Sequence, residues 1–416
     1  EWENEFLEDL TGKVPAIRGL DFMNYNPLYG WEDGTTERAI KWVKERNGIL
    51  TASWHINVPI DFENYTLGDE VDWKECTYKN YQASNSTFNT ANVLKEGSKE
   101  REYFEEAMKM LAEQLKKLQD ENVPIIFRPL HEAQGNDGLY GDGTAWFWWG
   151  DRGPEVYKEL WKLLYTTLTE KYDLHNIIWE FNSYDYESSP KWYPGDEYVD
   201  IVAYDKYNVE YNRGDGKSGG PNLLAIAGKF HSLYQLTNGK KMVAMAENDT
   251  VPALDNILVE DAGWLYFCTW YDGGSMDTNF LSEPTFNTKE DTIAMYQSDY
   301  CITLDELPEN LYSRSDVTPP DPSKTTPKTT TATTTTAPRV TTTTEADPNK
   351  SFAKLSNAEG NVNIKFPEAS QTVYLRVDLP DDCTYANGGL GVSIPVDGKY
   401  YWANVKWEAT ASGDVK

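Results

Sequence analysis

Two glutamates stand apart from the other acidic residues of this chain because of what precedes them. Glu132 follows "VPIIFRPLH" and Glu247 follows "KMVAMA", so in each case a short apolar run ends on a carboxyl group. A strand covered on both faces reads as such a continuous run, and each carboxyl would then emerge from a core at the edge of a cleft. Two carboxyls so placed can split a glycosidic bond. One, in surroundings that raise its pKa, protonates the leaving oxygen, and the other attacks the anomeric carbon. His131 directly precedes Glu132, and the remaining strand ends supply Asp21, His55, Asn182, Asp205 with Tyr207, and Trp270 with Tyr271. These are hydroxyl partners and aromatic platforms of the kind a sugar ring needs. No HExxH or CxxC spacing accompanies them, so the set predicts chemistry that requires no metal and no cofactor.

Taken singly, most of these residues have plainer explanations. A carboxylate at a strand end, such as Asp21, is more often a helix cap or an ion-pair partner. Glu180, inside "IIWEF", reads as a buried partner of an arginine such as Arg128, and "WFWWG" (146–150) alone reads as core. The constellation carries the argument, and it needs a scaffold that gathers strand ends. Seven strand candidates occur, at 15–22, 48–55, 123–131, 175–181, 198–205, 241–247 and 264–270. Between them lie helical patterns. Phe104, Met108, Leu111, Leu115 and Leu118 form one apolar face. A second pattern enters at Pro154 and repeats Val156, Leu160, Leu163 and Leu164, and a third runs from "PNLL" to Leu236. Strand then helix over about 300 residues predicts an α/β fold, a (β/α)8 TIM barrel, whose chemistry gathers where the strands finish. One strand is missing from the count. It falls either in the polar stretch 56–99 or before Glu1, and the helix under way at residue 1 favours the second place.

The motifs "FRPLHEA", "WFWWG", "GILTASWHINVP", "YVDIVAYDKY", "MVAMAE" and "TGKVPAIRGLDFMNY" resemble those of the family 26 glycoside hydrolases, a group that includes endo-β-1,4-mannanases, across about residues 5–312. The resemblance implies a barrel whose first strand is lacking here, so that His131 ends strand four and Glu247 ends strand seven. It implies Glu132 as acid/base and Glu247 as nucleophile in a retaining double displacement. It also implies His55 and His131 at the sugar being cleaved, with Asp205 among the substrate-binding residues. Tyr207 would hold the nucleophile, and Trp146 and Trp270 would act as aromatic walls. The implied substrates are β-mannan polysaccharides and manno-oligosaccharides, including glucomannan and galactomannan. The rivals are mixed-linkage β-glucan or xylan as substrate, and a non-catalytic glycan-binding protein. This chain departs from the family in "AQGNDGLYGDGTA" (133–145), which intervenes before "WFWWG" and would add a lip on the leaving-group side.

Composition agrees with a sugar-handling protein. The net charge of −29, from 67 acidic against 38 basic residues, repels nucleic acid and anionic membranes. Aromatic residues make up 13% of the chain, with 15 Trp and 27 Tyr, enough to fill a core and leave platforms over. The four cysteines, Cys76, Cys268, Cys301 and Cys383, are too scattered for a disulfide scaffold. Residues 317–350 are Thr and Pro with almost nothing to bury, which predicts a linker. It divides a catalytic barrel (1–316) from a tail (351–416). The tail alternates apolar and polar residues around Gly and Asp-Gly turns, as a small all-β sandwich would. Tyr400, Tyr401, Trp402 and Trp407 could form its sugar platform, so it reads as a truncated carbohydrate-binding module. Such a layout predicts a secreted, extracellular protein or a piece of a larger multi-module, cellulosome-type assembly.

Overall fold

Seven parallel strands form one sheet in chain order: β1 (Ile17–Asp21), β2 (Ile49–Trp54), β3 (Ile125–Pro129), β4 (Ile177–Asn182), β5 (Ile201–Lys206), β6 (Met242–Asn248) and β7 (Phe267–Thr269). They belong to a computed structural model that describes residues 2–28, 32–135, 145–207, 217, 219–271, 278–309, 311–312, 385–396 and 399–410. All seven strand candidates are present. The stretch 56–99 holds no strand, only short 3₁₀ turns such as Tyr78–Tyr81 and Thr90–Leu94.

The sheet curls into a near-barrel because both of its faces are apolar. Ile126, Ile201, Ala203, Ala244, Ala246 and Tyr266 fill the inside, with Ile17, Ile49 and Cys268 against them. The alternate residues, Phe127, Val202, Val243 and Met245 among them, face the helices outside. β1 and β7 are the edges, and they approach closely at Gly19. A Cβ there would lie 2.8 Å from Cys268 Sγ, so a glycine lets the seam close. The strand order, all parallel with intervening helices, is that of a (β/α)8-type barrel counted with seven strands.

Helices follow most strands: Thr35–Arg46, Lys99–Asp120, Gly153–Thr166, Ala227–Leu236, Leu254–Glu260 and Lys289–Tyr296, preceded by Trp2–Thr11. The five apolar residues predicted for the face of Lys99–Asp120 are all buried. Two expectations change. The face of Gly153–Thr166 turns on Tyr157, Leu160, Trp161 and Leu164, not on Val156 and Leu163. Two aromatic rings bury more area than two aliphatic side chains, and that sets the helix rotation. The third helix starts at Ala227, leaving 221–226 non-helical. There the wholly buried Lys206 ammonium donates to the carbonyls of Asn222 and Leu224. A buried charge must be paired or hydrogen-bonded, and a helix would have consumed those acceptors. Between β4 and β5 there are only the turns Ser189–Trp192 and Asp196–Tyr198, in a segment broken by Pro190, Pro194 and Gly195.

The predicted linker lies outside the described residues, as does the tail apart from a two-stranded sheet of Tyr385–Val396 and Lys399–Thr410. Among the described residues, Cys76, Cys268 and Cys301 are unpaired, and no helix is long and apolar enough to cross a membrane.

Candidate active site

Toward the carboxyl ends of the strands the barrel interior turns polar. Thr51, Ser53, Arg128, Glu180, Asn182 and Asp205 are all buried. All six continue the inward period of their strands, and Arg128 lies at the centre. Its Nη1 donates to Asp205 Oδ2 at 3.1 Å, its Nη2 donates to Glu247 Oε1, and its Nε faces Glu180 Oε1 at 4.0 Å. Glu247 Oε2 accepts a hydrogen bond from the Tyr207 hydroxyl. Strict alternation on β6 would point Ala244 and Ala246 inward and Glu247 outward. The register shifts by one residue between β5 and β6 at Tyr204/Asp205, and again between β6 and β7 at Met245/Asn248. Such irregularities re-aim a side chain, and here they turn Glu247 into the barrel mouth opposite Asp205.

Glu132 arrives by a different device. Beyond β3 the chain passes through Leu130 and Glu132 in the left-handed region, at φ 51° and 49°, a conformation that costs a residue with a side chain about 1–3 kcal/mol. The surroundings hold it there. Asn182 Oδ1 accepts from the Glu132 N–H at 2.7 Å, and Trp149 Nε1 donates to the His131 carbonyl at 2.7 Å. Gly150 closes the turn from the other side, since a Cβ on it would lie 1.7 Å from the Ala133 carbonyl oxygen. Gly150→Ala must therefore displace backbone, and we expect a loss of ~1–3 kcal/mol, read as a lowered midpoint in thermal unfolding. An unchanged midpoint would mean that the turn yields freely.

One carboxyl oxygen each from Glu132, Asp205 and Glu247 lies within 4.8 Å of the other two. Crowding of like charges in a largely buried site pushes carboxyls toward the neutral form. Burial, and then the charge of Glu247, push Glu132 up to about 7, against the pull of Arg128, His55 and the Trp146 indole N–H, which donates to Glu132 Oε2 at 3.2 Å. Burial raises Asp205 well above the usual carboxylate range, although Arg128 opposes it. A carboxyl whose folded pKa is raised keeps its proton after the unfolded chain has released its own. Its contribution to stability therefore falls as pH rises from the unfolded value, ~4.3, to about 7. Glu132→Gln removes that loss, so the variant should unfold at a higher temperature than the parent at pH 8, with the gain shrinking at pH 5. An equal gain at both pH values would separate the effect from ionisation.

The histidines form a second arm. Asp21 accepts from His55 Nδ1, and also from its backbone N–H at 3.2 Å. His55 Nε2 lies 3.0 Å from His131 Nε2, which in turn lies 4.0 Å from Glu247 Oε1. Burial works against a charged His55, but the Asp21 carboxylate outweighs it and raises the pKa. His131 is lowered well below the ordinary value by burial and by the charges of Arg128 and His55. The contact between the two Nε2 atoms needs one ring to donate and the other to accept. Trp270 packs beside His55, with ring centroids 5.9 Å apart.

Glu132, Glu247, Asp205, Tyr207, His55, His131, Trp146 and Trp270 are therefore brought together around one cleft. Of "WFWWG", only Trp146 reaches the carboxyls, and Phe147, Trp148 and Trp149 are core. Residues 136–144 of the 133–145 insertion lie outside the described residues. Its start is tied down by Gln134, which bonds Ser188 and Ser189 at 2.7 Å each. The sequence reading names Arg128 as a partner of Glu180 and Asp21 as a helix cap or ion-pair partner; the structure shows both pairings and adds that Arg128 bonds Asp205 and Glu247 and that the partner of Asp21 is His55. Sequence reasoning missed Tyr78, an exposed ring over Phe147 (6.2 Å) and Tyr81 (6.1 Å) whose phenol feels the charges of Glu132 and Glu247. Only the parity of Arg128 with the inward positions of β3 could have flagged its further partners. Nothing periodic marks Tyr78, which sits on a 3₁₀ turn.

Two opposed carboxyls, one with its pKa raised, at the carboxyl-end mouth of a parallel β/α barrel are the groups that glycosidic bond cleavage calls for. The profile of the family described as "Glycosyl hydrolase family 26" matches residues 3–306, and the chain belongs to that family. A mannan endo-1,4-β-mannosidase of Thermothelomyces thermophilus is 33% identical over 309 residues, 73% of this chain and 56% of that protein. The crystal structure of a ruminal GH26 endo-β-1,4-mannanase is 58% identical with a TM-score of 0.69, covering 74% of this chain and 62% of that one. A Podospora anserina GH26-CBM35 β-(1,4)-mannanase is 31% identical with a TM-score of 0.60, over 75% of this chain and 62% of that one. The chain spans about half the length of the curated relatives it matches.

Proposed function

We propose that this protein hydrolyses internal β-1,4-mannosidic bonds of mannan, glucomannan or galactomannan by a retaining double displacement. The approach of Glu132 to Glu247, with oxygens within 4.8 Å, carries this reading. Retaining enzymes hold their carboxyls ~5–5.5 Å apart, whereas inverting ones leave ~6.5–9.5 Å for a water. Glu247, gripped by Arg128 and Tyr207, attacks the anomeric carbon while Glu132 gives its proton to the departing oxygen. Glu132, now a carboxylate, then takes a proton from water, whose oxygen attacks the same carbon and frees Glu247. The environment that pushes Glu132 up to about 7 suits a group that must be acid first and base second. His131, buried between His55 and Glu247, orients this end of the cleft. His55 and Asp205 face the sugar being cleaved, and Trp146, Trp270 and Tyr78 give apolar walls for sugar rings. The choice of mannan rests on the named activities of the relatives.

In this reading residues 1–316 are the catalytic unit, 317–350 a Thr/Pro linker and 351–416 part of a carbohydrate-binding module, in a secreted protein. Digestion of mannohexaose should give shorter manno-oligosaccharides by internal cleavage, with β-configured products formed first by NMR. Reducing-sugar release should be larger on locust bean gum than on lichenan or xylan. α-Configured first products would overturn retention, and a preference for lichenan or xylan would overturn the substrate. Deleting the chain from Val317 should leave the mannohexaose rate near that of the full chain. A collapse would move the domain boundary.

A further inference from the structure

Glu180 on β4 has no part in the mechanism above, yet it is wholly buried inside the barrel beneath the two carboxyls that Arg128 holds. Three edges of one guanidinium face three carboxyls from consecutive strands: Glu180 of β4, Asp205 of β5 and Glu247 of β6. The Asp205 and Glu247 edges are bonded, whereas the Glu180 edge stands at 4.0 Å, one short slide from bonding distance. One buried cation faces three buried carboxyls, and like charges so crowded away from bulk solvent favour retention of a proton in the cluster.

The partners of Glu180 serve either of its states. The Tyr266 hydroxyl lies 2.8 and 2.6 Å from its two oxygens, and 3.5 Å from Thr51 Oγ1. Tyr266 can donate to the Glu180 carboxylate. It can instead accept from the neutral acid and turn its own proton toward Thr51. The other charged or titratable groups facing Glu180 are Arg128 from β3, Asp205 from β5, Glu247 from β6 and Cys268 from β7.

We propose that Glu180 is a positioning residue that holds a buried proton. As the neutral acid it leaves the Arg128 guanidinium to Glu247 and Asp205, and as the carboxylate it draws that guanidinium down and unpins the nucleophile. This rests on Glu247 being the nucleophile. Burial pushes Glu180 up to about 7, while the Tyr266 hydrogen bond and Arg128 pull the other way.

The test uses a substrate whose leaving group needs no protonation, dinitrophenyl β-mannobioside, so that Glu132 drops out of the first step. In the parent, kcat/KM should fall tenfold per pH unit above about 7. In Glu180→Gln the fall should vanish. In Tyr266→Phe, which removes a bond that favours the carboxylate, it should move to higher pH. A purely structural glutamate would lower rates in both variants without moving the limb. A limb that persists in Glu180→Gln, or stays in place in Tyr266→Phe, overturns the proposal. If Glu180→Gln does not fold, Tyr266→Phe decides. The infrared C=O band of a neutral carboxylic acid at pH 6, measured in Glu132→Gln and in Glu132→Gln/Glu180→Gln, gives a readout free of substrate. Loss of band intensity in the double variant supports the buried proton, and equal bands overturn it. A parent that cleaves no mannoside sinks the proposed activity and leaves the infrared result to decide on Glu180.

Discussion

Glu132→Ala should lose ~10²–10⁴-fold on mannan, the range supplied by a positioned acid or base, yet still react quickly with a dinitrophenyl mannoside. The activated phenol departs without a proton, so the first half of the reaction survives and the second, which needs a base to activate water, becomes slow. The variant should therefore release a burst of phenol and accumulate its mannosyl-enzyme. Azide, which needs no base, should speed turnover and give a β-mannosyl azide. Glu247→Ala has nothing with which to attack. It should be slow on both substrates and show no burst, and azide rescue would give the inverted α-azide. The asymmetry follows from the two surroundings. Burial and the charge of Glu247 raise the Glu132 pKa, whereas Glu247 is held in place for attack by a guanidinium and a phenol. A burst from Glu247→Ala in place of Glu132→Ala would reverse the roles.

Arg128→Met should be the most destabilising single change in the site. Its side chain is 3% exposed and faces Asp205, Glu247 and Glu180. Removing one partner of a buried ion pair leaves the others uncompensated, at ~3–5 kcal/mol. The loss should depend on pH with a definite sign. Arg128 lowers the pKa of Asp205, Glu180 and Glu132, so without it all three hold protons more tightly in the folded state. The unfolded chain releases its protons from ~4.3 upward, so the stability of the variant should fall further behind the parent as pH rises through about 7 and beyond. Arg128→Lys keeps the charge but not the fork, and a point charge cannot bond two carboxyls as a planar guanidinium does. It should fall between parent and Met. Urea unfolding at pH 5 and pH 8 reads both claims, and a deficit that is equal at the two pH values would remove the electrostatic account.

The parts of this protein that were legible in its sequence are those set by short-range pattern. Seven short apolar runs became seven strands in chain order, since burial on both faces demands continuous apolar residues and leaves polar ones for the ends. That alone put Glu132, Glu247, Asp205, His55 and His131 near one mouth, and the motifs supplied the family. What the tertiary structure decided depends on register and on contacts between distant residues. Parity along β6 would face Glu247 away from the cleft, and only the shifted pairing with β5 and β7 turns it in. The rotation of Gly153–Thr166 follows the bulk of Tyr157 and Trp161 against the sheet, and the non-helical course of 221–226 follows the needs of Lys206, neither of which a periodic count contains. The ionisation of the site is likewise collective. One guanidinium shared by carboxyls on three strands decides which of them keep a proton, and a pKa set by neighbours 52 to 119 positions away exists only once the barrel has brought them together.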